Sequence, residues 1–305
     1  MTEFPARTFT TLSSRGLRHD ILPMRLYHKA KRLGIWDPRS IDLTQDRQDW
    51  LRIPDNYKER LRNLVLGFQA GEEAVTLDLL PLIITIAREG RLEEEMFLTT
   101  FLWEEAKHTE FFRRFLDEVL QEQQDWNALR ASSTPNTTRD LFRDDLPRVM
   151  NRLLTDPSAE NQAKASILYN MIIEGVLAET GYYSFSRMLE ATNSMPGLRE
   201  GLRLIQRDES RHIAYGVFLI SRLVAQDKSL WPTVEDYMKR LFAGIQSNQQ
   251  QNGTPEAVQA YARQQFEKRL ARIGRAREQS LEQVYQTAAS EESVEGTESA
   301  EAETA

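Results

Sequence analysis

Two Glu-x-x-His motifs, each following another glutamate at a similar distance, limit what this chain can fold into more than any other feature. The pattern comprises six residues in this order: Glu72, Glu105, His108, Glu174, Glu209 and His212. The first lone glutamate precedes its motif by 33 residues (72 to 105), and the second precedes its motif by 35 (174 to 209). A spacing of three residues puts Glu and His on one face of a helix, so each motif can bind one metal ion. The repeat therefore predicts two half-sites carried on four helices.

Glu174 interrupts an apolar stretch that runs from Ile167 to Leu177. A carboxylate in such a setting costs several kcal/mol unless it is protonated, paired or bound to a cation. One isolated Glu-x-x-His motif is weak evidence, because a solvated glutamate beside a surface histidine gives the same pattern. The duplicated order, together with the apolar setting of Glu174, favours a metal site.

Apolar residues recur at intervals of three and four from residue 54 onward, for example at Leu61, Leu64 and Phe68. This spacing is typical of amphipathic helices, and no alternating strand pattern of useful length occurs. We therefore predict an all-α bundle. Its helices are expected at about 54–90 with a kink at Pro81, 91–123, 146–154, 158–192, 197–226, 232–250 and 255–286, with a loop containing Pro135 after the second.

The bundle is expected to span residues 51–286, between two segments without sustained periodicity. Residues 1–50 contain three prolines and are predicted to form an arm on the body, with His19 and His28 as ordinary polar residues. Residues 287–305 contain six Glu and no Lys or Arg. Such a segment cannot bury enough apolar surface to offset its ordering entropy, so we predict a disordered acidic tail.

Composition excludes several classes of function. The chain has no cysteine, which rules out disulfides, thiolate metal sites, iron–sulfur ligation and cysteine nucleophiles. The net charge is -7, and without the six glutamates of the tail it is -7 + 6 = -1, so no basic excess invites nucleic acid. The sequence contains no apolar run of signal-peptide or membrane-spanning character, and we predict a cytoplasmic protein without a transmembrane segment.

The donor set indicates which metals fit. Four carboxylates and two imidazoles on four helices form the di-iron or di-manganese constellation of ferritin-like bundles. These donors suit iron or manganese, and bridging carboxylates can hold two ions while leaving positions for dioxygen or substrate. Asp208 and Glu104 each precede a glutamate of a motif. Each is expected to accept a hydrogen bond from an imidazole N–H, with a surface acid as the alternative.

From about residue 20 to 285 the chain resembles the ribonucleotide reductase small-subunit superfamily, and within it the R2-like ligand-binding oxidases. The resemblance is carried by the segment 71–78, Gly-Glu-Glu-Ala-Val-Thr-Leu-Asp, and the segment 169–174, Tyr-Asn-Met-Ile-Ile-Glu. In that family a valine follows the first ligand glutamate by three residues, and a tyrosine precedes the third-helix glutamate by five. Val75 and Tyr169 occupy these positions.

The resemblance implies a manganese/iron centre, with a di-iron centre as the alternative. It assigns the metals to two sets of residues: Mn to Glu72, Glu105 and His108, and Fe to Glu174, Glu209 and His212. It further implies dioxygen activation, an ether crosslink between Val75 and Tyr169, and a long-chain fatty acid whose carboxylate bridges the metals. A homodimer is also implied, whereas the physiological substrate and the electron donor are not.

Helical geometry supports only part of this assignment. With 100° per residue, Val75 lies about 60° from Glu72 on the same face, whereas Tyr169 lies about 140° from Glu174. Tyr169 therefore depends on the resemblance, with an aromatic side chain packed between helices as the alternative. Tyr182, about 80° from Glu174, is a second candidate for contact with the site, although a core position also explains it.

Two other functions remain open at this stage. A ribonucleotide reductase small subunit would use the same ligands, but members with a stable tyrosyl radical carry a tyrosine four residues after the first motif histidine, where this chain has Phe112. Their partner-binding C-terminal segment contains an aromatic residue, and this chain has none after Tyr285. Phe112 argues against a tyrosyl radical but not against a subunit that stores its oxidising equivalent on the metals. The second alternative is a non-catalytic ferritin-like protein that binds metal or lipid.

Overall fold

A computed structural model describes residues 9–121 and 141–286. Within these ranges the chain is helical, without strands. This confirms the all-α, ferritin-like bundle. The α-helices are α1 Leu22–Leu33, α2 Thr44–Arg52, α3 Asp55–Asp78, α4 Leu80–Arg88, α5 Leu92–Phe115, α6 Leu146–Arg152, α7 Ala159–Ser166, α8 Glu179–Thr192, α9 Pro196–Gln226, α10 Trp231–Gln251 and α11 Glu256–Gly274. The predicted loop around Pro135 and the predicted tail, 287–305, lie outside the described residues.

Two of the predicted helices are divided. The helix expected at 54–90 ends at Asp78 and resumes at Leu80, with Pro81 in the first turn of α4, where a missing N–H is tolerated. The last helix ends at Gly274, and a 3₁₀ turn, Arg275–Glu278, separates it from a final helix at residues 281–286. A Cβ atom at Gly274 would lie 3.1 Å from the Trp231 ring, so close packing accounts for a glycine at this end.

The helix predicted at 158–192 is a continuous rod with a changed hydrogen-bonding pattern at its centre. Between α7 and α8, the segment Ile167–Ala178 is a π-helix. Such helices bond residue i to i+5 and often occur at functional sites. A shorter π-helical segment, Leu116–Leu120, ends the α5 rod. The long one contains both Tyr169 and Glu174.

The first fifty residues form more than an arm on the surface. They include α1 and α2, and Leu22 and Leu26 of α1 belong to the main apolar core. The Asp46 carboxylate of α2 accepts hydrogen bonds from the backbone N–H groups of Gly197 and Leu198 at 2.9 and 2.7 Å. These N–H groups lie in the first turn of α9, so this segment satisfies donors that the helix itself cannot pair.

Apolar packing surrounds the four helices that carry the predicted ligands. Along α5, Phe97 and Phe101 belong to one apolar cluster, whereas Phe111, Phe112 and Phe115 belong to a second. The first Glu-x-x-His motif lies between these two sets on the same helix. The polar residues are therefore enclosed by apolar side chains. In the part of the chain that the structure describes, no helix is both long and apolar enough to cross a membrane.

Candidate metal centre

All six predicted metal-binding side chains meet in the interior of the bundle, and each is at most 5% exposed. They form two overlapping groups whose potential ligand atoms lie within 4.8 Å of one another. The first group is Glu72, Glu105, His108 and Glu209, and the second is Glu105, Glu174, Glu209 and His212. The structure thus brings together side chains from four rods, α3, α5, the π-helix and α9, in an arrangement that could hold two metal ions.

Glu105 and Glu209 are shared between the two histidines. Glu209 places Oε1 3.2 Å from His108 Nδ1 and Oε2 3.4 Å from His212 Nδ1. Glu105 places Oε2 3.7 Å from His108 Nδ1 and Oε1 3.1 Å from His212 Nδ1. Each of the two groups contains one of the sets of residues expected from the sequence, together with the second shared glutamate. Both carboxylates lie between the two histidines and could bridge two cations.

The two lone glutamates each face only one histidine. Glu72 Oε2 lies 3.4 Å from His108 Nδ1, and Glu174 Oε1 lies 3.8 Å from His212 Nδ1. Each therefore sits at one end of the cluster. A pair of bridging carboxylates between two Glu/His ends is a symmetric arrangement, as the internal repeat of the sequence predicts.

The outer nitrogens of both imidazoles face buried carboxylates. His212 Nε2 lies 2.9 Å from Glu104 Oε2, and His108 Nε2 lies 3.4 Å from Asp208 Oδ2. A proton on Nε2 satisfies both contacts and leaves a lone pair on each Nδ1 directed at the bridging carboxylates. Neither Nδ1 has a hydrogen-bond partner, and the same is true of both Glu105 oxygens. The residues present therefore fit cations at the centre of the cluster.

The pKa shifts of the clustered side chains also favour bound cations. Burial raises the pKa of Glu72 to about 8, and burial with repulsion from Glu209 raises the pKa of Glu174 well above its ordinary value. Burial alone would lower the pKa of His108 and His212, but the surrounding carboxylates raise it well above the ordinary value. Without cations, the cluster therefore has a strong tendency to take up protons. Metal ions would supply the same positive charge.

The π-helix explains why Tyr169 reaches the site. Residues five apart are hydrogen-bonded neighbours in such a helix, so the angle of about 140° expected for an α-helix does not apply. The Tyr169 hydroxyl donates to the Val75 backbone carbonyl at 3.1 Å, and both residues are buried. Burial and the nearby carboxylates raise the pKa of Tyr169 well above its ordinary value, which keeps the phenol protonated.

Asn170 is a site residue that the sequence reasoning missed. It is fully buried, and its side-chain amide donates to Glu174 Oε2 at 2.9 Å, while Ser166 donates to Asn170 Oδ1 at 2.8 Å. Space for this side chain depends on Gly216, where a Cβ atom would lie only 2.2 Å from Asn170 Cβ. The sequence did contain one indication of this role, because the asparagine lies four residues before Glu174 within an otherwise apolar run.

Trp36 and Lys107 were also missed. Trp36 Nε1 donates to Asp208 Oδ2 at 2.8 Å, and its ring stacks against that of His108 with centroids 6.2 Å apart. Lys107 Nζ donates to the same Asp208 oxygen at 3.0 Å. Trp36 comes from the segment predicted as an arm. No local pattern predicts this contact, because 172 residues separate Trp36 from Asp208.

The remaining expectations concern two aromatic positions. The Tyr182 hydroxyl donates to Glu72 Oε1 at 3.5 Å, so it reaches the cluster as well as packing in the core. Phe112, where a radical-bearing tyrosine would lie, is fully buried and stacks on Phe68 with centroids 5.3 Å apart. A redox-active phenol is therefore missing from that position.

Comparison with known proteins gives the family. Residues 24–274 match the family of the ribonucleotide reductase small chain. The R2-like ligand-binding oxidase of Sulfolobus acidocaldarius is 38% identical, with a TM-score of 0.83 over 91% of this chain and 98% of that one. This chain belongs to the R2-like ligand-binding oxidases. A variant of such an oxidase with an anaerobically reconstituted Mn/Fe cofactor is 36% identical, with a TM-score of 0.82 over 88% of this chain and 99% of that one. An R2-like ligand-binding oxidase is an oxidoreductase, and the buried carboxylate and histidine cluster described above is the part of this member that could hold its metals.

Proposed function

We propose that this chain is a dioxygen-activating oxidase with one Mn and one Fe ion in the buried cluster. The observation that carries the proposal is the pair of inner histidine nitrogens, which face two shared carboxylates and have no hydrogen-bond partner. The ligands are Glu72, Glu105, His108, Glu174, Glu209 and His212. Mn is assigned to the end with Glu72 and His108, and Fe to the end with Glu174 and His212. A di-iron centre is the alternative, because the same donors accept both metals.

Charge balance supports two divalent cations. Four carboxylates carry four negative charges, which two divalent ions neutralise when both imidazoles are neutral. Such neutralisation matters because every ligand is buried, and an uncompensated buried charge is costly. A pair of reduced ions in this setting would supply electrons to dioxygen.

The protein contributes position and exclusion of water. The Phe101 ring stacks on His212 at 3.6 Å between centroids and covers that imidazole. Asn170 fixes the orientation of Glu174, and Tyr182 lies within hydrogen-bonding distance of Glu72. Reactive species generated at the cluster would therefore meet C–H and O–H bonds of the protein or of a bound ligand rather than bulk water.

We further propose that aerobic metal loading joins Val75 to Tyr169 through an ether bond. The Tyr169 hydroxyl lies 3.1 Å from the Val75 carbonyl oxygen, which supports the closeness of the two residues. One C–H bond of the valine and the O–H bond of the tyrosine break, and one C–O bond forms. The two hydrogens leave as two electrons and two protons, which reduce dioxygen to hydrogen peroxide; reduction to water would take two further electrons from the reduced metal ions and two protons from solvent. The crosslinked peptides would be lighter by two hydrogens.

For the ligand, we propose a long-chain fatty acid or a similar apolar carboxylate. A carboxylate would bind at the cations, and apolar residues beside the ligand glutamates, including Val75 and Ile173, would face its chain; both are buried. Organic extracts of protein loaded with metal should contain such an acid, whereas extracts of the Glu174→Ala variant should not.

The Glu174→Ala variant tests the metal site. It should bind less metal by elemental analysis, lose dioxygen consumption and form no crosslink in mass spectra of protease digests. Glu160→Ala, on the exposed side of the same rod, is the matched control and should behave as the unaltered protein. Two metals per chain in Glu174→Ala would contradict the assignment. Metal binding without dioxygen consumption by the unaltered protein would favour the non-catalytic alternative.

The second candidate function is a ribonucleotide reductase small subunit, which the family match over residues 24–274 favours. Many such subunits carry a tyrosyl radical at the position that Phe112 occupies here, and a phenylalanine cannot form one. A subunit with a metal-based oxidant would not need that tyrosine. Truncation after Gln286 separates the functions. An oxidase should retain metal loading and dioxygen reactivity, whereas a reductase subunit that docks through its C-terminus should support nucleotide reduction only with residues 287–305 present.

A further inference from the structure

Behind the two histidines lies a group of four buried charged side chains, here called the outer charge layer: Glu104, Lys107, Asp208 and Arg211. None is more than 5% exposed. The layer contains two carboxylates and two cations, so its charges balance. Its carboxylates are those that face the outer nitrogens of the two histidines. The layer therefore determines how both imidazoles are held.

Arg211 connects the two carboxylates. Its Nη2 donates to Glu104 Oε1 at 2.5 Å and to Asp208 Oδ1 at 2.5 Å, while Nη1 donates to the backbone oxygen of Arg207 at 2.9 Å. A guanidinium presents several donors in a fixed plane, which lets one side chain serve two carboxylates at once. Arg211 thus joins the hydrogen-bonding partners of His108 and His212.

The two carboxylates do not depend on Arg211 equally. Asp208 also accepts from Lys107 Nζ at 3.0 Å and from Trp36 Nε1 at 2.8 Å. Glu104 accepts from Arg211 and faces His212, and Arg211 forms its ion pair. Lys107 extends in the other direction, where it donates to the Gly34 backbone oxygen at 2.5 Å. The Glu104 end of the layer therefore relies on Arg211, whereas the Asp208 end has three donors.

We propose that Arg211 is the positioning residue for the half-site of His212, whereas the half-site of His108 depends on no single donor, because Asp208 accepts from three. The proposal rests on the proposed function, in which these histidines bind metal. Removal of Arg211 would leave the buried Glu104 carboxylate without its ion-pair partner, and its orientation toward His212 Nε2 would be lost. Asp208 would retain Lys107 and Trp36. Removal of Lys107 would leave Asp208 with Arg211 and Trp36, so both histidines would keep a positioned carboxylate.

The test compares Arg211→Met and Lys107→Met, which remove charge and keep an unbranched side chain. Each metal-free protein is reconstituted anaerobically with limiting Mn and Fe and crystallised, and anomalous scattering at both metal edges gives the occupancy of each half-site. Arg211→Met should weaken binding at the His212 half-site by about 10- to 100-fold, whereas Lys107→Met should change binding much less at both half-sites. Equal losses at both half-sites of Arg211→Met, an equal or larger loss in Lys107→Met, or no loss would overturn the proposal.

Two further variants of the chain serve as controls. Arg203→Met removes an exposed arginine of the same helix that pairs with Glu200, and it should leave both occupancies unchanged. Arg211→Lys restores one charge, and recovery of metal at the His212 half-site would support a charge-dependent positioning role over a loss of packing. Circular dichroism of the metal-free variants checks folding. If the unaltered protein bound no metal at this cluster, the proposed function would fall together with this proposal, whereas equal losses in variants of a two-metal protein would overturn only the latter.

Discussion

At the scale of single residues, further buried polar groups hold the proposed metal ligands in place. Glu174 is oriented by Asn170, which is in turn oriented by Ser166. Metal ligands commonly need such outer hydrogen bonds to keep one orientation. This chain of contacts packs against the backbone of Gly216. A side chain at that position would therefore disturb the proposed metal site.

Gly216→Ala should therefore disturb both stability and metal binding. The added Cβ would lie 2.2 Å from Asn170 Cβ, and relief of this overlap requires movement of a buried side chain. We expect a loss of about 1–3 kcal/mol in the free energy of unfolding, measured by denaturant titration, and reduced metal content. Gly244→Ala is the control, since nothing lies within 4 Å of its added Cβ. That variant should be equally stable or more stable, because Ala favours helix over Gly. Equal effects at both positions would contradict the role of Gly216.

Asp78 gives a pH dependence that is independent of the metal ligands. Burial raises its pKa from 3.8 to about 6. Between these values the folded protein binds more protons than the unfolded chain, so this group makes stability fall as pH rises from about 4 to about 6 and lowers it by a constant amount above. Asp78→Asn should increase the free energy of unfolding of the metal-free protein by about 1–2 kcal/mol at pH 7, and much less at pH 4. Denaturant titrations at both pH values check this, and a difference independent of pH would refute it.

At the scale of elements, the sequence predicted the helices well and their internal geometry less well. Three- and four-residue spacing identifies a helix only when one face is polar, and in Ile167–Ala178 nearly every side chain is buried. An apolar run of this kind carries no information on its period, so the change to a π-helix could not be predicted. The angle of about 140° between Tyr169 and Glu174 was calculated for an α-helix and therefore does not apply to this segment. The cluster of proposed metal ligands was predictable because the spacing of its members lies within α-helices, α3, α5 and α9, or depends on burial alone.

The start of α9 offers a test at this scale. Asp46 pairs two N–H groups of the first turn from a different helix, and it is fully buried. Asp46→Ala would leave both donors unpaired and should lower the free energy of unfolding by about 1–2 kcal/mol. Asp236→Ala, at a mostly exposed position in α10, should change it by less than about 0.5 kcal/mol. Similar values for the two variants would argue against capping by Asp46.

At the scale of the whole molecule, contacts between distant segments decide which residues complete the site. Trp36 approaches Asp208 because α1 and the turn after it pack on α5 and α9, an arrangement that follows from the full set of helix contacts and from no local motif. The Glu-x-x-His repeat and the apolar setting of Glu174 predicted where the centre lies. The outer charge layer required the tertiary structure, although two of its members, Glu104 and Asp208, were predicted from their positions beside the ligands.

Three large apolar side chains at the surface favour the homodimer that the family resemblance implies: Leu77, Leu80 and Ile84, which are between 40% and 65% exposed. They follow one another at intervals of three and four along α3 and α4. Exposed apolar side chains grouped in this way are typical of interfaces between proteins.

The dimer prediction is tested with a charge in the centre of this apolar surface. A glutamate at Leu80 would be exposed in a monomer at little cost, but it would be buried without a partner in a dimer that uses this face. We therefore expect Leu80→Glu to sediment as a monomer at concentrations where the unaltered protein is a dimer, with its metal content preserved because the ligands come from one chain. Leu51→Glu, at an exposed leucine on α2, should remain dimeric. A dimeric Leu80→Glu protein would move the interface to another face, and a monomeric unaltered protein would refute the dimer itself.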